Sequence, residues 1–553
     1  MKLLKFGLAF VISAFAILLL AQPASAHAVV VGSTPVDGSR LQASPASVTI
    51  KFDESVGLDL GYLRVVDAAG RRVDSGTANH PGGDGSQITV GLKSGLGDGT
   101  YLASFRIISA DSHPVAGSIR WVVGDGALGA GGGPSDSAPV NQAVSSGLAI
   151  THWLSFAGIG VVGGSWVIFS LWPSGRERTV IRRLIWTGWT IGVLGAVGEF
   201  LLQGPYAAGS GLGSALHTEL LDATLHVNSG QLLSVRLMLF GVLGFVLSPL
   251  FRSTRRLNWA PEAAAMLGVG IVVTFAASGH AQSENPRWLA VLIDALHLTA
   301  MIVWLGGLVI LFVAASGRFR ARDDVDEDEL DDDTEELAAG LPIFSRIAMA
   351  CVAILAVTGT IQAWREIGAW DAITTTRYGQ LVLIKVVLFL GLVGLGYLAR
   401  SIVRSPARTL ARLRRGLLTE VVVGAVVLAV TGVLISQPPG KVALTAERSK
   451  PRSTTVAVTA KSNAVVEVEP GVHGSVQITI QLTGGIKPTN ISATASLPAK
   501  QLGPIALKLQ AVGPDSYSAS GVVLPSAGMW QVQVLVQTSE FDSTTAMATL
   551  KLY

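Results

Sequence analysis

His27, Asp111 and His113 are the residues whose types and setting most directly suggest chemistry. His27 directly follows the small-residue motif Ala24-Ser25-Ala26, which is preceded by basic Lys2 and Lys5 and an apolar stretch from Phe6 to Leu20. That is the pattern of a secretory signal over 1–26, and its removal would make His27 the amino terminus. A terminal histidine offers its α-amine and its imidazole to a single ion, and Cu(II) prefers such tetragonal nitrogen and oxygen donors. Asp111 and His113 are two apart in Ser109-Ala110-Asp111-Ser112-His113-Pro114-Val115-Ala116-Gly117. On an extended segment they project to one face, because side chains alternate there. Together with His27 they would make a nitrogen-rich Cu(II) site. The bland alternative is that a histidine merely happens to follow the cleavage point.

Composition narrows the chemistry. The 553 residues are 49% hydrophobic and only 14% charged, where a soluble chain carries about a quarter charged residues. With a mean hydropathy of +0.50, much of the chain belongs in lipid. A net charge of +3, with no basic patch interleaved with aromatics, argues against nucleic acid as a partner. The single cysteine, Cys351, can form no internal disulfide, and the seven methionines are scattered. Copper outside the membrane would therefore meet imidazole and carboxylate, a donor set that suits Cu(II).

The elements that must position these residues fall into three segments. Residues 27–124 hold short alternating runs at 48–52, 62–66, 87–90, 101–106 and 119–123 between Gly, Asp and Pro turns, and this spacing predicts a β-sandwich. A Gly/Ser/Pro-rich linker follows over 125–146. Eight apolar stretches come next, at roughly 147–171, 182–203, 231–250, 261–279, 288–315, 343–364, 379–400 and 417–436, each near the length that crosses a bilayer. Residues 445–553 alternate again, as in Ser475 to Ile480 and Met529 to Val534, and predict a second sandwich. The expected fold is thus a multidomain membrane protein, an all-α eight-helix transmembrane bundle flanked by two extracytoplasmic all-β, immunoglobulin-like sandwiches. Arginines follow spans one, three, five and seven, including Arg176, Arg252, Arg318 and Arg400, whereas the 204–230 loop has none. By the positive-inside rule both termini lie outside a cell (plasma) membrane crossed many times, in agreement with the export signal.

Ionisable residues inside a bilayer are functional candidates. With this orientation His152, Glu199, His280, Asp294 and His297 all fall toward the outer side. Asp294 and His297 share a helical face, with Met301 one turn beyond. A shared site or a vestibule for a metal would need polar groups at such similar depth. Pairing of Asp294 with Lys385 would instead only fix helix packing.

The mature start, His27 to Gly38, resembles the opening of the CopC family of periplasmic copper-binding proteins. Val48 to Phe52 with Asp53-Glu54, Asp98-Gly99-Thr100-Tyr101, and Ser109 to Gly117 follow its pattern in order. The resemblance implies Cu(II) held by His27 through amine and ring, by Asp111 and by His113. The middle segment, 147–437, is similar to the CopD membrane family. The resemblance is carried by Ser278-Gly279-His280-Ala281, His297 to Gly307, Phe344-Ser345-Arg346, Tyr378-Gly379-Gln380 with Lys385, and Glu420. The tail, with Tyr517, Leu524-Pro525, Gly528 and Trp530-Gln531-Val532, resembles the YtkA-like domain.

These resemblances imply a non-enzymatic copper importer or homeostasis protein. Cu(II) would be captured outside and passed through the bundle, where Cu(I) is an alternative state, with extracytoplasmic copper chaperones as further partners. The sequence leaves two alternatives open: surface sequestration of copper without transport, and a haem-containing membrane metal reductase. Joining donor and bundle in one chain raises the local donor concentration at the vestibule without requiring a tight docking surface.

Overall fold

The computed structural model describes residues 28, 30–109, 114–124, 141–252, 259–279, 286–317, 327–403, 410–435, 437, 439–513, 515–539 and 541–553. The expected signal segment, the linker residues 125–140, and His27, Asp111, His113 and His280 lie outside the described residues.

Among the described residues, eight strands build the first sandwich: β1 Val30–Thr34, β2 Ser39–Leu41, β3 Ser47–Phe52, β4 Val56–Asp67, β5 Asp74–Asn79, β6 Gln87–Leu92, β7 Gly99–Ser109 and β8 Pro114–Val123. They form two four-stranded sheets, in the orders β1-β3-β6-β5 and β2-β8-β7-β4. Alternation decides which side chains meet between them. Val48, Ile50 and Phe52 of β3 and Ile88, Val90 and Leu92 of β6 turn inward, onto Ala103, Phe105 and Trp121. Trp121 is fully buried and stacks on Tyr101 with ring centroids 5.9 Å apart. Among the described residues of 452–552, a five-stranded and a four-stranded sheet form a second sandwich, cored by Ile478, Ile480, Trp530, Val532 and Val534.

Each of the eight expected apolar stretches falls on a helix: α1 Gln142–Gly163, α2 Thr179–Ala208, α3 Asn228–Arg252, α4 Ala260–Ala276, α5 Arg287–Gly317, α6 Glu327–Ile367, α7 Arg377–Val403 and α8 Leu410–Ile435. Six of these are long and apolar enough to cross a membrane, whereas α4 and the apolar Leu418–Leu434 part of α8 are shorter. The chain is a multi-pass membrane bundle flanked by two β-sandwiches.

Lipid supplies no hydrophobic drive between helices, so close packing must come from small residues. A Cβ at Gly158 of α1 would overlap the Gly192 backbone of α2, and one at Gly195 would overlap Ser155. Gly306 of α5 meets Gly160 and Gly164 in the same way. Half-buried indoles satisfy their N–H groups across helices: Trp166 donates to Val303 O at 3.0 Å and Trp189 to Phe240 O at 2.8 Å. Backbone cannot step aside as a side-chain tip can. Gly306→Val is therefore expected to cost about 3 kcal/mol, the upper part of the overpacking range. A thermal melt of the detergent-solubilised chain that matches the parent would contradict this packing.

Candidate functional site

Polar residues from seven helices line one cavity of about 760 Å³ inside the bundle. Helical spacing explains how α2 contributes: Glu199, Gln203 and Tyr206 are four and three residues apart, so they share one face. From α1 comes His152, from α5 Asp294, His297 and Met301, from α6 Gln362, and from α7 Lys385. Of the membrane candidates read from the sequence, His152, Glu199, Asp294, His297 and Met301 thus line a single cavity.

Glu199 is the centre of the first polar group. It is 4% exposed, and its Oε2 lies 2.9 Å from Nη1 of Arg236, a residue of α3 with no exposure at all. The arginine is fully engaged. Its Nε donates to Thr274 Oγ1 at 3.0 Å, and its Nη2 to Thr274 O and Ser278 Oγ, each at 3.2 Å. Its guanidinium carbon stands 3.5 Å above the Phe275 ring, a cation–π contact. Two charges removed from water repay their desolvation only when paired and hydrogen-bonded in this way.

The same carboxylate oxygen sits 3.3 Å from His152 Nδ1. A carboxylate only accepts, so Nδ1 carries a proton, and in the neutral imidazole Nε2 is the lone-pair nitrogen. Phe156 and Phe275 hold the ring in place, with centroids at 6.4 and 5.6 Å.

His297 reaches the same state by another route. Its Nδ1 lies 2.8 Å from Thr358 Oγ1, and that hydroxyl donates its own proton to Ile354 O at 2.6 Å. Having spent its hydrogen, Thr358 Oγ1 accepts from the imidazole. Nε2 is again the bare nitrogen. Metal-binding histidines are typically oriented this way, with the far nitrogen tied to a hydrogen-bond acceptor. Nearby, Asp294 Oδ1 accepts a 2.6 Å hydrogen bond from Gln362.

Among the described residues, no three of His, Cys, Asp and Glu stand close enough together to hold one ion. The candidates in the cavity wall are therefore spread along it. They do not form one compact centre. Fixing the tautomer should matter in addition to the ring itself. Thr358→Val, which keeps the shape and removes the acceptor, is expected to weaken metal binding in the cavity by about 10- to 100-fold. Titration of the purified chain with Cu(I) and Cu(II) reads this directly, and an unchanged affinity would exclude His297 as a ligand.

Arg236 escapes the sequence reading, although it interrupts Leu232-Leu233-Ser234-Val235 and Leu237-Met238-Leu239 in the third apolar stretch. Thr358 and Gln362 carry no such signal. Their roles come from packing directly against α5.

Residues 30–124 match the CopC domain family, and residues 338–434 match copper resistance protein D, CopD. The copper transport protein CutJ of Bacillus subtilis (strain 168) is 29% identical over 422 residues, covering 75% of this chain and 74% of that protein. Copper resistance protein C of Pseudomonas syringae pv. tomato is 31% identical over 111 residues, 19% of this chain and 87% of its own length. Among solved structures, CopC from Methylosinus trichosporium OB3b aligns at 25% identity and a TM-score of 0.17, over 19% of this chain and 100% of that one.

Proposed function

Since the chain belongs to the CopC family of copper proteins and joins that domain to a CopD domain, we propose that it imports copper. Cu(II) is captured outside the cell by His27, Asp111 and His113 and passed into the cavity. His152, Glu199, Asp294, His297 and Met301 would act as successive stations, with His280 a further member of the path read from the sequence. The observation that supports this reading best is the pair of imidazoles with bare Nε2 atoms on one cavity wall system. Separate stations suit a cargo that must leave again, whereas a compact cage would retain it. The naming of CutJ as a copper transport protein lends further support.

In this reading both termini lie outside, and the membrane potential can drive uptake. A divalent cation gains about 4.6 kcal/mol per 100 mV of inside-negative potential, more than a thousandfold in concentration. Loss of the gene is expected to lower cell copper under scarcity. Copper sensitivity with equal or raised cell copper would instead point to sequestration.

The mostly apolar lining and the two histidines also suit haem ligation, which makes the metal-reductase reading concrete. An absorption spectrum of the purified chain separates the two: import without haem predicts no Soret band, and a stoichiometric Soret band would favour the reductase.

A further inference from the structure

The last four residues of β7, Arg106, Ile107, Ile108 and Ser109, break the alternation of the sandwich, for all four are buried. Burial of consecutive residues means that both faces of the strand end are covered. Ile107 belongs to the sandwich core. Arg106, only 4% exposed, points the other way and meets the bundle. Its Nε donates to Ala207 O at 2.6 Å and its Nη2 to Tyr206 O at 3.2 Å. These carbonyls belong to the last turn of α2, where a helix runs out of its own amide donors and carries partial negative charge. Gly209 closes the helix at φ +69, and a Cβ there would stand 2.9 Å from Arg106 Cζ. The glycine thus both makes the turn and leaves room for the guanidinium.

We propose that Arg106 is a docking residue, locking the first sandwich onto the end of the very helix whose Glu199, Gln203 and Tyr206 line the cavity. An arginine serving only the sandwich would bond within it. These two bonds instead reach 101 and 100 residues along the chain. A tether does not require a docking surface, yet the chain builds a specific, buried contact. β7 leads from Arg106 directly to the segment bearing Asp111 and His113, so docking sets where the donor domain stands over the cavity. This functional consequence, though not the docking itself, rests on the import reading.

The test uses the full chain in liposomes, metal-free, with spin labels at Ser94→Cys on the sandwich and Leu216→Cys on the bundle's loop. Both positions are exposed, and the background carries Cys351→Ser. Pulsed EPR is expected to give one narrow distance distribution for the parent. Arg106→Ala should give a broad one, and Arg106→Lys, which loses the planar fork, an intermediate one. Copper uptake by Arg106→Ala should fall about tenfold as the pre-set proximity is lost, while Cu(II) binding by the solubilised chain stays unchanged. An unaltered distribution in Arg106→Ala would overturn the docking role. A broadened distribution with full uptake, or loss of Cu(II) binding together with uptake, would overturn the positioning role. A parent chain that docks but takes up no copper would refute import and leave the docking assignment standing.

Discussion

Arg236→Met is expected to destabilise the bundle by about 3–5 kcal/mol, because it strands the Glu199 carboxylate in an interior that cannot solvate it. The methionine roughly fills the space, so the loss reports charge and hydrogen bonds more than volume. Glu199→Gln alone should also destabilise, since it leaves a guanidinium with no exposure facing a neutral amide. The double variant, Arg236→Met with Glu199→Gln, should recover at least half of the loss, a coupling expected of residues in direct contact. Denaturant unfolding of all four chains in one detergent completes the cycle. Additive losses would show that the 2.9 Å pair contributes no mutual stabilisation.

The second large effect concerns transport. His297→Ala removes a bare ring nitrogen from the cavity wall and leaves its orienting partner, Thr358, with nothing to hold. Losing an orienting partner already costs about 10- to 100-fold in metal affinity, so losing the ligand should cut copper flux at least about 100-fold. His297 is not part of the Glu199–Arg236 cluster, so the variant should fold like the parent. His297→Gln, which keeps a polar group but no imidazole lone pair, should be as inactive. Full activity in the glutamine variant would mean that His297 serves packing or hydration.

Much of this was legible in the residues. Period-two alternation in 48–52 and 87–90 placed β3 and β6 correctly, because one face of each strand must be apolar to meet the other sheet. The length of the apolar runs gave the helices. His152, Glu199, Asp294 and His297 stood out because ionisable groups are expensive in lipid, and they do line one cavity. Arg236 obeys the same rule, yet arginines also report orientation, and that signal hides one that lies inside a span. Partners such as Thr358 for His297 and Gln362 for Asp294 depend on how α5 and α6 rotate against each other. That rotation is set by packing and leaves no mark on spacing. Arg106 was hidden for a related reason, since on a strand it reads as an ordinary solvent-facing charge until the end of α2 arrives opposite it.

Copper uptake into proteoliposomes under an inside-negative potential tests import most directly. Vesicles carrying the parent chain should accumulate copper well beyond protein-free vesicles, faster as the potential grows, and His297→Ala vesicles should match the protein-free ones. Accumulation equal in all three, with copper found only on the outer surface, would contradict import and leave a copper-binding scaffold.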